Sequence, residues 1–151
     1  MSALNPQDVQ FSGTTLTISS AAMALLRAHV ENGYPFEVVG ILAGARSTGR
    51  VSDVVALANE RIDDAANRYA VSALALMKAE RQVAKRDLDV LGYYHSHPDH
   101  PAMFSDTDRD LALPNMSYLI AAVHEGTMVD VMSWRLREDR TTMDRETLLA
   151  E

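Results

Sequence analysis

The stretch VLGYYHSHPDHPAMFSDTD, residues 90–108, decides how this chain is read. Val90 to Tyr94 has the β-branched and aromatic content of a strand. His95 to Phe104 is expected to be irregular, because Pro98 and Pro101 each remove a backbone donor and restrict the residue before them. Ser105 to Leu113 reads as a short helix closed by Pro114. His95 and His97 are two residues apart where the strand runs out, and period-two geometry turns both imidazoles to one side.

Working outward, Thr15 to Ile18 alternate as a short strand, and Ser19 or Ser20 offers an N-cap to a helix carrying Leu25, Leu26, His29 and Val30. Gly33 and Pro35 stop that helix. Val38 to Ala43 and Val51 to Leu57 read as neighbouring strands around a turn at 45–50, followed by a polar loop over Asn59 to Arg68. Ser72 to Arg86, rich in Ala, Leu, Lys, Glu and Gln, should be the longest helix. Downstream, Tyr118 to Val123 and Met128 to Trp134 read as strands joined at His124-Glu-Gly126, and the charged tail beyond Arg137 as a loosely held helix. Met23, Met77, Met116 and Met132 are expected to fill core, and Trp134 to serve core or a subunit contact. Strands mixed with two or three helices give an α/β or α+β layer fold in one domain over residues 1–151.

Composition narrows the chemistry. Fourteen Lys plus Arg against 21 Asp plus Glu, a formal charge of -7, disfavours a nucleic-acid partner held through phosphates. The absence of Cys removes disulfides, thiolate nucleophiles and Cys-type zinc sites, including that of the zinc deaminases. Any metal must therefore sit on His and carboxylates. The N-terminus lacks a basic and apolar leader and no apolar run approaches the roughly 18 residues of a membrane helix, so the expectation is a soluble, cytoplasmic protein without a membrane partner.

A catalytic zinc site takes three protein ligands and keeps a position for water. His95 and His97 supply two. Asp108, in the first turn of the helix after the loop, is the best third ligand, and two neutral His with one Asp leave the charge needed to acidify a water. Glu37, a carboxylate in the otherwise apolar run PFEVVGIL over 35–42, is costly unless it has a partner, and a metal-bound water is one. It would serve as general base and then general acid. Ser105, three residues before Asp108, would help hold a developing oxyanion or would cap the helix, roles that are compatible.

Glu37, then His95-Ser-His97, seven residues, Ser105, two residues and Asp108, resembles the JAMM (MPN, Mov34) metalloprotease motif at every fixed position. The resemblance runs from the strand bearing Glu37 to Ser133-Trp-Arg-Leu136, and the length is like that of the bacterial members. It implies a JAMM/MPN-like, cytidine-deaminase-like mixed sheet flanked by helices, and one Zn2+ per chain. It also implies hydrolysis of the amide bond after the C-terminal Gly-Gly of a ubiquitin-like sulfur-carrier protein, whose tail would lie beside Asn59 to Ala70. A homodimer is left open.

Two other readings remain. His95-Ser-His-Pro-Asp-His100 also fits the H-x-H-x-D-H signature of metallo-β-lactamases, in which Asp99 and His100 would bind a second metal. The chain could instead be a non-catalytic binding module for a ubiquitin-like partner, with zinc as a structural pin.

Overall fold

The computed structural model describes residues 9–58 and 72–151. In chain order these form β1 (Phe11–Ile18), α1 (Ser20–Gly33), β2 (Val39–Ala45), β3 (Arg50–Leu57), α2 (Ala73–Lys85), β4 (Asp89–Pro98), α3 (Asp106–Leu111), β5 (Ser117–His124), β6 (Thr127–Leu136) and β7 (Met143–Ala150). The strands lie in the order β1-β3-β2-β4-β5-β6-β7, and β7 pairs in parallel with β1 so that the sheet closes on itself. β2 is antiparallel to β3 and β4, whereas β4 and β5 run parallel. This is the mixed α+β architecture expected from the sequence.

Alternation along the central strands assigns the two faces of the sheet. Leu42 of β2 and Leu119, Ala121 and Val123 of β5 pack with Ala22, Leu26 and Val30 of α1. The opposite parity of β2, Val39, Ile41 and Ala43, meets Ala79 and Val83 of α2. The opposite parity of β5, Ile120 and Ala122, meets Phe104 and Trp134. Strands buried on both faces read as continuous apolar runs, which is the pattern of VVGILA and YLIAAV. β4 follows the same parity: Tyr94 points into the α1 cluster and Tyr93 packs on the α2 cluster. Gly40 is obligatory, since a Cβ there would collide with the Tyr94 ring.

Several local expectations are corrected. β4 does not end at Tyr94 but continues through His95, Ser96 and His97 to Pro98, so only the part beyond Pro98 is irregular. Pro98 is tolerated because alternate amides of β4 face opposite neighbours: Asp99 N donates to Val123 O of β5, while Ser96 N donates to Val38 O. The nitrogen of Pro98 falls on the side of Ser96, past the end of β2, where no ladder donor is required. The charged tail is not a helix but β7, because pairing with both β6 and β1 overrides its helix-compatible composition and buries Met143 and Glu146. α1 has 14 residues and α2 has 13, so α2 is not the longest helix among those described. Met77 is exposed rather than core, as is Leu25 of α1, whereas Trp134 is buried. The expected loop at 59–68 lies outside the described residues.

The closure of the sheet rests on a buried carboxylate. Glu146, 1% exposed, accepts from Ser117 Oγ at 2.6 Å, Ser133 Oγ at 2.9 Å and Thr14 Oγ1 at 2.6 Å, and pairs with Arg135 at 3.2 Å. Its partners come from β1, β5 and β6, so one side chain joins the strands on either side of the seam. Replacing it strands three hydroxyls and a cation together. Glu146→Ala is expected to destabilise the fold by about 3–5 kcal/mol and Glu146→Gln by about half of that, read from urea unfolding midpoints. Equal stability of Glu146→Ala and wild type would contradict this account of the seam.

Candidate metal centre

The register of β2 against β4 builds the site. Val39 pairs with His95, and Ser96 N donates to Val38 O at 3.0 Å, which carries the pairing one step past β2. A further step sets Glu37 opposite His97. Glu37 is 8% exposed and close enough for its charge to favour a proton on His97. His95 and His97 share one parity of β4, and their Nε2 atoms lie 3.2 Å apart.

Asp108 arrives from α3. Its Oδ1 lies 3.1 Å from His95 Nε2 and its Oδ2 3.4 Å from His97 Nε2. A capping box holds it there: Ser105 Oγ accepts from Asp108 N at 3.1 Å, and Asp108 Oδ2 accepts from Ser105 N at 2.8 Å. Ser105 therefore acts as the helix cap and fixes the rotamer of the carboxylate. Among the described residues, His95, His97 and Asp108 form the one group whose potential ligand atoms all lie within 4.8 Å of one another.

The electrostatics suit a cation. Burial opposes charge on Asp108, but His95, His97 and the Ser105 amide outweigh it and hold the carboxyl well below its usual range. Burial likewise works against a proton on His97, yet the bond to Asp108, the Pro101 carbonyl and Glu37 raise its pKa above the ordinary value. A ligating imidazole must be neutral, so a proton and a metal compete for Nε2 and metal affinity should rise with pH through that raised value. His97 Nδ1 lies 2.9 Å from Pro101 O, to which it donates, and this leaves Nε2 as the lone-pair nitrogen. Two imidazole nitrogens and one carboxylate, presented together, are a donor set that zinc accepts.

The loop between His97 and Ser105 is fixed by contacts that sequence reading had no means to see. Trp134 Nε1 donates to Ala102 O at 2.9 Å, and Phe104 packs edge-on against the Trp134 ring at 5.1 Å between centroids. Trp134 thereby anchors the chain carrying Pro101 and the start of α3, a core role with a direct bearing on the site. Asp99, proposed as a second-metal ligand, is not gathered with other ligands. Its carboxylate accepts from Tyr34 OH at 2.7 Å and Glu125 N at 3.1 Å, and His100 is exposed. The metallo-β-lactamase arrangement is not what this loop builds.

A model of the prokaryotic homologues of the JAB domain matches residues 19–137, a span that begins at the cap of α1 and holds Glu37 and the His-His-Asp group. The chain belongs to this prokaryotic JAB family. It is 33% identical over 110 residues to a probable TtuB-protein conjugate cleaving protease of Thermus thermophilus, covering 73% of this chain and 72% of that one. It is 33% identical over 102 residues to COP9 signalosome complex subunit 5 of Neurospora crassa, but spans only 29% of that longer protein. The solution structure of a protein from Desulfitobacterium hafniense matches with a TM-score of 0.76 at 28% identity, over 90% of this chain and 92% of that one. A JAB1/MPN domain protein from Archaeoglobus fulgidus matches with a TM-score of 0.58 at 14% identity, over 89% and 98%, which shows the shared JAB1/MPN fold.

In this JAB domain, removing the cap should be felt at the metal ligand. Ser105→Ala is expected to cost about 1 kcal/mol of stability and to weaken zinc binding about tenfold, measured by chelator competition. Unchanged zinc affinity would show that the capping box does not set Asp108.

Proposed function

We propose that this JAB domain is a zinc-dependent peptidase or isopeptidase that hydrolyses the amide bond after the C-terminal Gly-Gly of a ubiquitin-like sulfur-carrier protein. The carrying observation is the convergence of His95, His97 and Asp108 beside a buried carboxylate, Glu37, two residues before the start of the ladder to the strand that bears the histidines. The substrate class is supported by the resemblance to bacterial family members that act on such carriers, and by the similarity to the probable TtuB-protein conjugate cleaving protease of Thermus. We also propose that residues 1–151 act as one domain and that the protein works in the cytoplasm.

His95, His97 and Asp108 would hold one zinc ion, which when bound supplies the Lewis acidity that makes water a nucleophile near neutral pH. Glu37 takes the proton of the attacking water on its carboxylate and delivers it to the nitrogen of the leaving amine. The carbonyl carbon gains the oxygen, the C–N bond breaks, and the carrier leaves with a free terminal carboxylate. Ser105 Oγ accepts from Asp108 N, so its own hydroxyl proton is free in direction to donate toward the developing oxyanion. Asp108, fixed by the cap, keeps its oxygens on the imidazole side rather than turning to solvent.

Mass spectrometry of a Gly-Gly-ended carrier extended by a short C-terminal peptide tests the proposal. Cleavage directly after the second glycine is expected with zinc-loaded wild type. Glu37→Gln should keep full zinc occupancy and lose turnover by at least about a hundredfold. His97→Ala and Asp108→Ala should lose the metal. Cleavage by Glu37→Gln at the wild-type rate would refute the proton-transfer role. Failure to cleave several such carriers with one zinc bound would favour a binding module.

A further inference from the structure

Residues 34–38, which carry Glu37, belong to neither a helix nor a strand, yet both ends of this segment are tied to the strand that carries the histidines. At one end Val38 N donates to Ser96 Oγ at 3.0 Å, and Ser96 N donates back to Val38 O at 3.0 Å. At the other end Tyr34 OH donates to Asp99 Oδ2 at 2.7 Å, and Asp99 is itself held by the amide of Glu125 and by its own N–H to Val123 O. Ser96 and Asp99 bracket His97 along the chain, and Tyr34 and Val38 bracket Glu37.

We propose that Ser96 and Asp99 are positioning residues: acting through Val38 and Tyr34, they clamp the Glu37 segment onto the His95–His97 strand and so set the distance over which the base works. This rests on the reading of Glu37 as the base. The Ser96 tether is specific to its side chain. In a regular antiparallel pair Val38 N would bond the Ser96 carbonyl, but here the hydroxyl accepts in its place. Ser96 is fully buried, so alanine at 96 would leave a buried amide without a partner and release the residue next to Glu37. The Tyr34 tether is exposed and contributes little to stability. Its removal should therefore appear in turnover and not in unfolding. Between the tethers, Phe36 N donates to Gly33 O at 2.9 Å.

The test compares wild type, Ser96→Ala, Tyr34→Phe and the double variant as full zinc-loaded chains. The probe is a Gly-Gly-ended ubiquitin-like carrier with a short C-terminal extension. Misplacing a reacting group by an ångström costs about a hundredfold, so kcat should fall about 10–100-fold in Ser96→Ala, severalfold in Tyr34→Phe, and furthest in the double variant. KM and zinc stoichiometry should not change. Hydrogen exchange at the Val38 amide should be slow in the wild type and in Tyr34→Phe and at least about tenfold faster in Ser96→Ala. Unchanged kcat in the double variant overturns the proposal, as does a loss of zinc that tracks the loss of turnover. Should Ser96→Ala fail to fold, unchanged kcat in Tyr34→Phe overturns the Asp99 tether, and fast wild-type exchange at Val38 overturns the Ser96 tether. A wild type that binds zinc, protects Val38 and cleaves no carrier overturns the functional reading itself and the positioning role with it.

Discussion

The antiparallel register of β2 against β4 is the constraint on which the candidate metal centre depends. Because side chains alternate with a period of two, a one-residue slip would turn both histidines into the α1 cluster and bring Tyr94 and Ser96 to the ligand side. Several features oppose such a slip at once. β2 is apolar on both faces and fills two separate clusters. Gly40 leaves room for the Tyr94 ring, with which a Cβ there would collide, and the Tyr94 hydroxyl lies 2.6 Å from His29 Nδ1 of α1. Burial pushes the Tyr94 hydroxyl upward and the His29 ring downward in pKa, so both stay neutral in this contact. On its other edge β4 is held in parallel by β5 from Gly92 to Pro98.

The third ligand needs a different kind of support. A six-residue helix does not hold itself together, since nucleation costs more than so few hydrogen bonds return. α3 is positioned instead by what precedes it: Phe104 and Ala102 buried against Trp134, the Trp134 indole bonded to the loop backbone, and the capping box at its first turn. Cap and ligand are the same carboxylate. Asp108 Oδ2 accepts the Ser105 amide while Oδ1 faces His95, so the bond that starts the helix also aims the ligand.

Much of this was legible from residue types. The strand after Glu37, the capped α1, the His-x-His pair, and Ser105 with Asp108 each carry a local signal: apolar runs, a Ser N-cap, a period-two pair and a capping pattern. The two-residue turn at Glu125-Gly126, both with positive φ, was also visible as a Gly-containing hairpin. What escaped depends on partners distant in sequence. Pro98 reads as a strand breaker until it is known that β2 has already ended beside it. The residues of β7 look helical, because composition does not reveal that β1 and β6 lie on either side. The Pro101 carbonyl that sets the His97 tautomer is backbone and leaves no trace in residue identity. Asp99 is a metal ligand only in the metallo-β-lactamase reading, which rests on its neighbours in sequence being histidines, whereas its neighbours in space are Tyr34 and Glu125.

Two carboxylates shielded from solvent in this chain show how a structural acid differs from a functional one. Glu146 lies wholly inside, and its oxygens are met by three hydroxyls and Arg135, each drawn from a different place around the seam. Its charge is neutralised within the fold, and nothing about it calls for a ligand. Asp108 is also screened, but beyond its cap its two oxygens face two imidazoles, and one of them, His97, already has its other nitrogen committed to a carbonyl. A carboxylate paired with neutral imidazoles is stable only if a proton or a metal ion shares the space between their Nε2 atoms. The raised pKa of His97 is that demand expressed with protons. The distinction lies in the identity of the partners and not in depth of burial: hydroxyls and a guanidinium complete Glu146, whereas Asp108 faces two imidazoles, a set of ligand atoms suited to a cation.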